Sequence, residues 1–281
     1  MLGKVGIVGC SNGQPESFRP ELERLIDVLW EMGYESICSP YLFARENVFS
    51  AGAKERAVAL MEFYLDDEID EIFDISGGDL ANEVLPWLDY DAIASARKRL
   101  WGYSDLTCVL NAIYARSGMP SMLYQVRNLI GEDASGQRHR FGSGLLEQFE
   151  YRFLQGQHLE GILVGGNVRC LLKLAGTPYW PEIRGRILLL EGLNVSVAQA
   201  AAYIAQLDQL GALDAAAGIL LGTFTRMEAR GDTPDFVALL QRRFDENKPL
   251  VKTYQVGHGA DSRAVCIGGR LTLDKGGAVA E

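Results

Sequence analysis

The chain has 281 residues, 48% hydrophobic and 23% charged, an ordinary globular composition long enough for one large α/β domain or two small ones. Its formal net charge of −10 argues against a nucleic-acid partner, because a phosphate backbone calls for a basic surface. No apolar run approaches the ~18 residues of a membrane span, and residues 1–13 read as a strand and a loop rather than a secretion signal.

The five cysteines, at 10, 38, 108, 170 and 266, are odd in number, scattered and without a CxxC pair. Reduced thiols in the cytoplasm explain them better than disulfides or a zinc site. Most read as small buried hydrophobes, although Cys10, after the first strand, is placed to face a site at the sheet edge.

Residues 5–10, 36–39, 71–76, 100–103 and 121–124 are short apolar runs bounded by Gly, Pro or Ser, and are predicted strands. Helical spacing separates them. Leu22, Leu25, Ile26, Leu29 and Trp30 recur on one face, as do Ala57, Leu60, Met61, Tyr64 and Leu65, and then Leu106, Val109, Leu110, Ile113 and Tyr114. Such alternation predicts a doubly wound parallel sheet over residues 1–130, with helices on both faces.

Residues 131–144 carry few apolar anchors and read as a polar loop, so a linker is placed at 131–155. Further strands are expected at 161–164, 187–190, 219–221, 250–256, 264–267 and 271–273, with helices near 197–210 and 235–247. The predicted fold class is therefore α/β. Its second part, residues 156–281, is a smaller strand-rich α/β domain closed by a β-meander.

The candidate chemistry starts from what is scarce. Of three histidines, His139 lies in the polar segment and His158 in a turn before a strand, both suited to a solvated surface. His258 sits between Gly257 and Gly259 just past an apolar strand, where it fits a proton-transfer role and a plain turn equally well. Ser104 ends the run Leu-Trp-Gly-Tyr-Ser at a strand-to-helix junction. A serine there is presented at the sheet's carboxyl edge, beside the positive end of the next helix. It lacks a Gly-x-Ser-x-Gly context, and Ser104 or Asp105 reads as readily as a helix cap.

Ser76-Gly77-Gly78-Asp79 follows the third strand, where two glycines can turn backbone N–H groups into a site or simply make a turn. Glu191 ends the apolar strand Ile-Leu-Leu-Leu-Glu and needs a partner, either an imidazole or an Arg or Lys. Arg116, Arg127, Arg169 and Lys173 are scattered and suggest no phosphate clamp. Gly6-Ile-Val-Gly9 lacks the remaining spacing of a dinucleotide fingerprint.

Five segments occur in an order that resembles the LD-carboxypeptidase family, which includes muramoyl-tetrapeptide carboxypeptidases of peptidoglycan recycling and microcin C immunity peptidases. They are Ser-Gly-Gly-Asp (76–79), Gly-Tyr-Ser-Asp-Leu-Thr (102–107), Gly-Gly-Asn (165–167), Leu-Leu-Leu-Glu (188–191) and Gly-His-Gly (257–259). Leu-Pro-Trp-Leu-Asp-Tyr-Asp (85–91) also looks like the family, and the resemblance runs from about residue 5 to 275.

The resemblance implies a serine carboxypeptidase or amidase with Ser104 as nucleophile, His258 as base and Glu191 as its orienting acid. It implies an oxyanion hole from the backbone N–H groups of Gly78 and Asp105, with Gly77, Asp79 and Asn167 near the substrate. The expected substrate is a small peptide, cleaved at the L,D bond of a murein tetrapeptide to release D-alanine. The expected enzyme is cytoplasmic, needs no metal or organic cofactor, and by analogy with the family forms a homodimer. Two alternatives stay open: hydrolysis of peptidyl or aminoacyl nucleotides, and a non-catalytic small-ligand-binding protein. The stretch Tyr124-Gln-Val-Arg-Asn128 departs from the family's His-Gly-Pro-Met-like pattern, and Ala264-Val-Cys-Ile-Gly268 lacks its usual proline.

Overall fold

A computed structural model describes residues 3–276. In chain order the elements are β1 (Gly3–Val8), α1 (Arg19–Glu31), β2 (Tyr34–Cys38), α2 (Ala53–Leu65), β3 (Glu71–Asp74), α3 (Tyr90–Ala96), β4 (Arg99–Gly102), α4 (Thr107–Ser117) and β5 (Ser121–Leu123). Then come α5 (Ala134–Ser143), β6 (Arg152–Gln155), β7 (His158–Asn167), α6 (Val168–Leu171), β8 (Ile187–Gly192), α7 (Val197–Gln209) and α8 (Ala212–Ala215). The chain continues through β9 (Gly218–Phe224), α9 (Thr225–Arg230), α10 (Thr233–Gln241), β10 (Leu250–Lys252), β11 (Val265–Ile267) and β12 (Arg270–Asp274).

The first sheet has the order β11-β5-β4-β3-β1-β2, with β1 to β5 parallel and β11 antiparallel at the edge. Its strands are apolar on both faces because both are covered. Val5, Ile7, Phe73, Trp101 and Met122 pack toward α1, while Val8, Ile72, Leu100 and Leu123 pack with α2 and α4. On that second face Gly6 admits the Phe63 ring of α2 where any Cβ would collide.

The second sheet has the order β12-β7-β8-β9-β10-β6, a parallel centre with antiparallel strands at both edges. The two sheets share one apolar cluster, in which Val109, Leu110 and Ile113 of α4 meet Leu163, Val164 and Leu189. Inside it, the fully buried Asn111 side chain donates to the Gly165 carbonyl at 2.9 Å and accepts the Gly165 N–H at 2.8 Å. This pair pins α4 to β7 close to where the two carboxyl edges face each other.

Two expectations need correction. Residues 131–144 are not a loop, since 134–143 form α5. This helix has no apolar stripe to betray it. It buries Gln137 alone, pairs Arg140 with Asp133, and ends on Gly144 in the left-handed region. Nor is there a closing β-meander. Only Leu250–Lys252 stay in the second sheet, after which the chain crosses to pair β11 with the open edge of β5 and then returns to pair β12 with β7. The outer edge of β5 has unpaired backbone groups, and a strand from the far end of the chain satisfies them.

Candidate active site

Ser104 follows β4 on a 3-10 turn (Ser104–Leu106) that runs straight into α4, so the helix's positive end lies beside it. Its φ of +54° lies in the left-handed region, which a side chain with a Cβ occupies at a cost of about 1–2 kcal/mol. The first N–H bonded within the turn is that of Leu106, which donates to the Tyr103 carbonyl at 2.9 Å, leaving the Asp105 N–H without an intrahelical acceptor.

His258 arrives from the crossing segment between β10 and β11. Its Nε2 lies 3.2 Å from Ser104 Oγ, and its Nδ1 lies 2.8 Å from Glu191 Oε2. With Nδ1–H donating to the carboxylate, Nε2 is left as an acceptor for the serine proton. The backbone N–H of His258 donates to Thr223 Oγ1 at 3.1 Å. Gly257, at φ +140°, lets Thr223 Oγ1 occupy the place where a Cβ would stand. The Tyr103 ring lies 4.4 Å from the imidazole at 54°, a face that excludes water from one side. Burial, and then the nearby Glu191, push the Tyr103 phenol well above its ordinary pKa, which keeps it neutral.

Glu191 is fully buried at the end of β8 behind Leu188, Leu189 and Leu190. Its Oε1 has no hydrogen-bond partner among the described residues, so the imidazole is its sole polar contact there. Next to it in register, Asn167 is buried with its Oδ1 also unpartnered, while its N–H donates to Thr107 Oγ1 at 3.0 Å.

The glycine loop after β3 completes the edge. Gly78, at φ +129°, lies under the Asn12 side chain, which any Cβ at this position would strike, and Asn12 Oδ1 accepts the Asp79 N–H at 3.0 Å. Gly77 has open space where a Cβ would project. Asp79 does not face the serine with a free carboxylate. Arg169 takes it, lowering its pKa, and Arg169 also donates to the Gly78 carbonyl at 3.0 Å.

Asp105 is fully buried and held by Lys173 Nζ at 2.5 Å, Ser11 Oγ at 2.7 Å and the Ala81 N–H at 2.9 Å. Its side chain therefore ties three loops together while its backbone N–H stays beside Ser104. Behind it, Asp74 accepts from the Cys10 and Ser76 N–H groups, both at 2.7 Å, and burial raises its pKa. Cys10 and Cys108 are buried, with thiol pKa values well above normal, and neither is suited to nucleophilic attack.

The structure thus brings Ser104, His258 and Glu191 into one hydrogen-bonded row, with Gly78 and Asp105 on the serine's side. His158 lies apart, bonded to Asp274 on the surface. Thr223 carries no sequence signal beyond its place near the carboxyl end of a strand predicted to be buried, and Tyr103 enters the sequence reading only as part of the Gly-Tyr-Ser-Asp-Leu-Thr segment. Among the described residues, no cluster of three or more His, Cys, Asp or Glu could hold a metal, and no helix is long and apolar enough to cross a membrane.

The N-terminal domain model of the LD-carboxypeptidases matches residues 5–124, and their C-terminal domain model matches residues 160–273. The chain is 27% identical to a murein tetrapeptide carboxypeptidase of Pseudomonas aeruginosa, over 90% of this chain and 88% of that protein. It is 25% identical to the microcin C7 self-immunity protein of Escherichia coli, over 89% and 84% of the two chains. The crystal structure of a muramoyltetrapeptide carboxypeptidase from Oxalobacter formigenes superposes with a TM-score of 0.83 at 26% identity, covering 97% of this chain and 95% of that one.

Proposed function

Because this chain belongs to the LD-carboxypeptidase family and is a serine-type carboxypeptidase, we propose that Ser104, His258 and Glu191 cleave the terminal L,D amide of murein-derived tetrapeptides in the cytoplasm, releasing D-alanine. The observation that carries this reading is the row from Ser104 Oγ to His258 Nε2 at 3.2 Å and from His258 Nδ1 to Glu191 Oε2 at 2.8 Å. Ser104 attacks the scissile carbonyl as His258 accepts its proton, and Glu191 stabilises the imidazolium that forms. The Gly78 and Asp105 N–H groups bind the developing oxyanion, a contribution of about 3 kcal/mol for one such donor. His258 then protonates the leaving D-alanine amine, and water activated by the same imidazole frees the acyl group from Ser104.

Release of D-alanine from an L,D-tetrapeptide by the purified protein, beside Ser104→Ala, tests the reading. Release that is lost in the variant supports it. A second reading, hydrolysis of a peptidyl or aminoacyl nucleotide by the same serine, draws on the likeness to the microcin C7 self-immunity protein. Fluorophosphonate labelling of Ser104 without D-alanine release would favour that second substrate. Neither labelling nor release would remove the serine mechanism.

A further inference from the structure

A carboxypeptidase must tell a chain end from an internal peptide bond, and a carboxylate is best read by a cation already waiting for it. Three of the cations bonded to the loops at the first sheet's carboxyl edge are taken. Lys173 is bound to Asp105 and to the Asp79 carbonyl. Arg169 is bound to Asp79 and the Gly78 carbonyl. Arg56, fully buried, is bound to the Cys10 carbonyl and, at 2.5 Å, to Glu83.

Arg127 differs. It follows β5, the strand next to the one that ends at Ser104, and its half-buried guanidinium points back toward β1. There Nη1 donates to the neutral amide of Gln14 at 3.2 Å, its single side-chain hydrogen bond among the described residues, and the group lies 5.3 Å over the Phe18 ring. Strands β4 and β3 lie between β5 and β1, so the span from Arg127 to Gln14 crosses the sheet edge from which Ser104 and the glycine loop project.

The carboxylate that acts on it most is Asp74, whose oxygens already accept from Cys10 and Ser76, and the neighbouring Tyr103 phenol is neutral. No carboxylate among the described residues bonds to it, and desolvation of the charge by burial pulls the guanidinium's pKa down. The backbone is fixed in advance, because the Arg127 N–H donates to the buried Gln125 side chain at 3.2 Å.

We propose that Arg127 binds the free carboxylate of the substrate's terminal residue, on the leaving-group side of Ser104. This rests on the carboxypeptidase function proposed above and adds the group that makes it specific for chain ends. Gln14 holds the guanidinium in place without neutralising it, and an arriving carboxylate supplies the missing charge through a two-pronged contact.

The test compares an L,D-tetrapeptide ending in D-alanine with the same peptide ending in D-alaninamide, using wild type, Arg127→Lys and Arg127→Met. Wild type should favour the acid about 100-fold in kcat/KM, Arg127→Met should lose that factor on the acid alone, and Arg127→Lys should keep part of it. Fluorophosphonate labelling of Ser104 should proceed at the same rate in all three. An acid preference that survives Arg127→Met, or an equal loss on both peptides, would overturn the assignment.

If neither peptide is cleaved while Ser104 still labels, the murein substrate is wrong, and calorimetry with N-acetyl-D-alanine and its amide decides Arg127 separately. Carboxylate binding abolished by Arg127→Met would sustain it, and equal binding by both proteins would end it.

Discussion

Asp105 and Glu191 are both fully buried carboxylates at the carboxyl edges of parallel sheets, and their surroundings are opposite. Asp105 has a lysine, a serine hydroxyl and a backbone N–H as partners. Glu191 has one imidazole, a wall of leucines and a bare oxygen. A satisfied buried charge holds structure together, whereas one kept short of partners is available to stabilise a charge that forms elsewhere. On this basis substitutions among the partners of Asp105 should show chiefly in stability, and substitution of Glu191 should show chiefly in rate.

The sharpest division comes from Glu191→Gln. An amide cannot stabilise the imidazolium, so kcat should fall about 10⁴-fold. A neutral amide is also cheaper to bury than a carboxylate, so the unfolding free energy should move by only about 1 kcal/mol. Steady-state kinetics and denaturant melts on one preparation check both, and a large loss of stability with little loss of rate would erase the contrast. Lys173→Met should do the reverse. It leaves Asp105 buried without its cation and should destabilise the fold by about 3 kcal/mol, with the double variant Lys173→Met/Asp105→Asn recovering part of the loss.

The smallest expected effect concerns Ser104 itself. Both Ser104→Gly and Ser104→Ala remove the hydroxyl, but only glycine relieves the left-handed backbone. The glycine variant should be the more stable of the two by about 1 kcal/mol in urea melts. Equal midpoints would mean that the turn carries no strain.

Much of the first sheet was legible because each strand there is a short apolar run closed by a turn residue. Ser104, His258 and Glu191 were legible as positions, each at the end of a strand or just past one. Local pattern alone left their roles open, since a cap, a turn and a salt bridge explained them as well, and the roles came from the ordered segments that resemble the family. Helix α5 was missed because its one buried side chain is a glutamine, invisible to apolar periodicity. Yet Gln137 accepts from the Tyr124 hydroxyl at 3.0 Å and donates to the carbonyls of Ala260 and Ser262, bracing the segment that carries His258. The tethers of Ser11, Lys173 and Thr223 span tens of residues, and no local pattern announces them.

Strand β11 has a consequence for how the chain assembles. As the protein is synthesised, β1 to β5 emerge first and can pair, but the outer edge of β5 waits until residues 265–267 leave the ribosome. The loop bearing His258 lies just ahead of that strand, so completing the first sheet and delivering the imidazole to Ser104 are one event. A nascent chain released early would hold a folded serine edge with an open strand beside it and no base. Competence for chemistry thus comes last in time, with a contact of very long sequence separation.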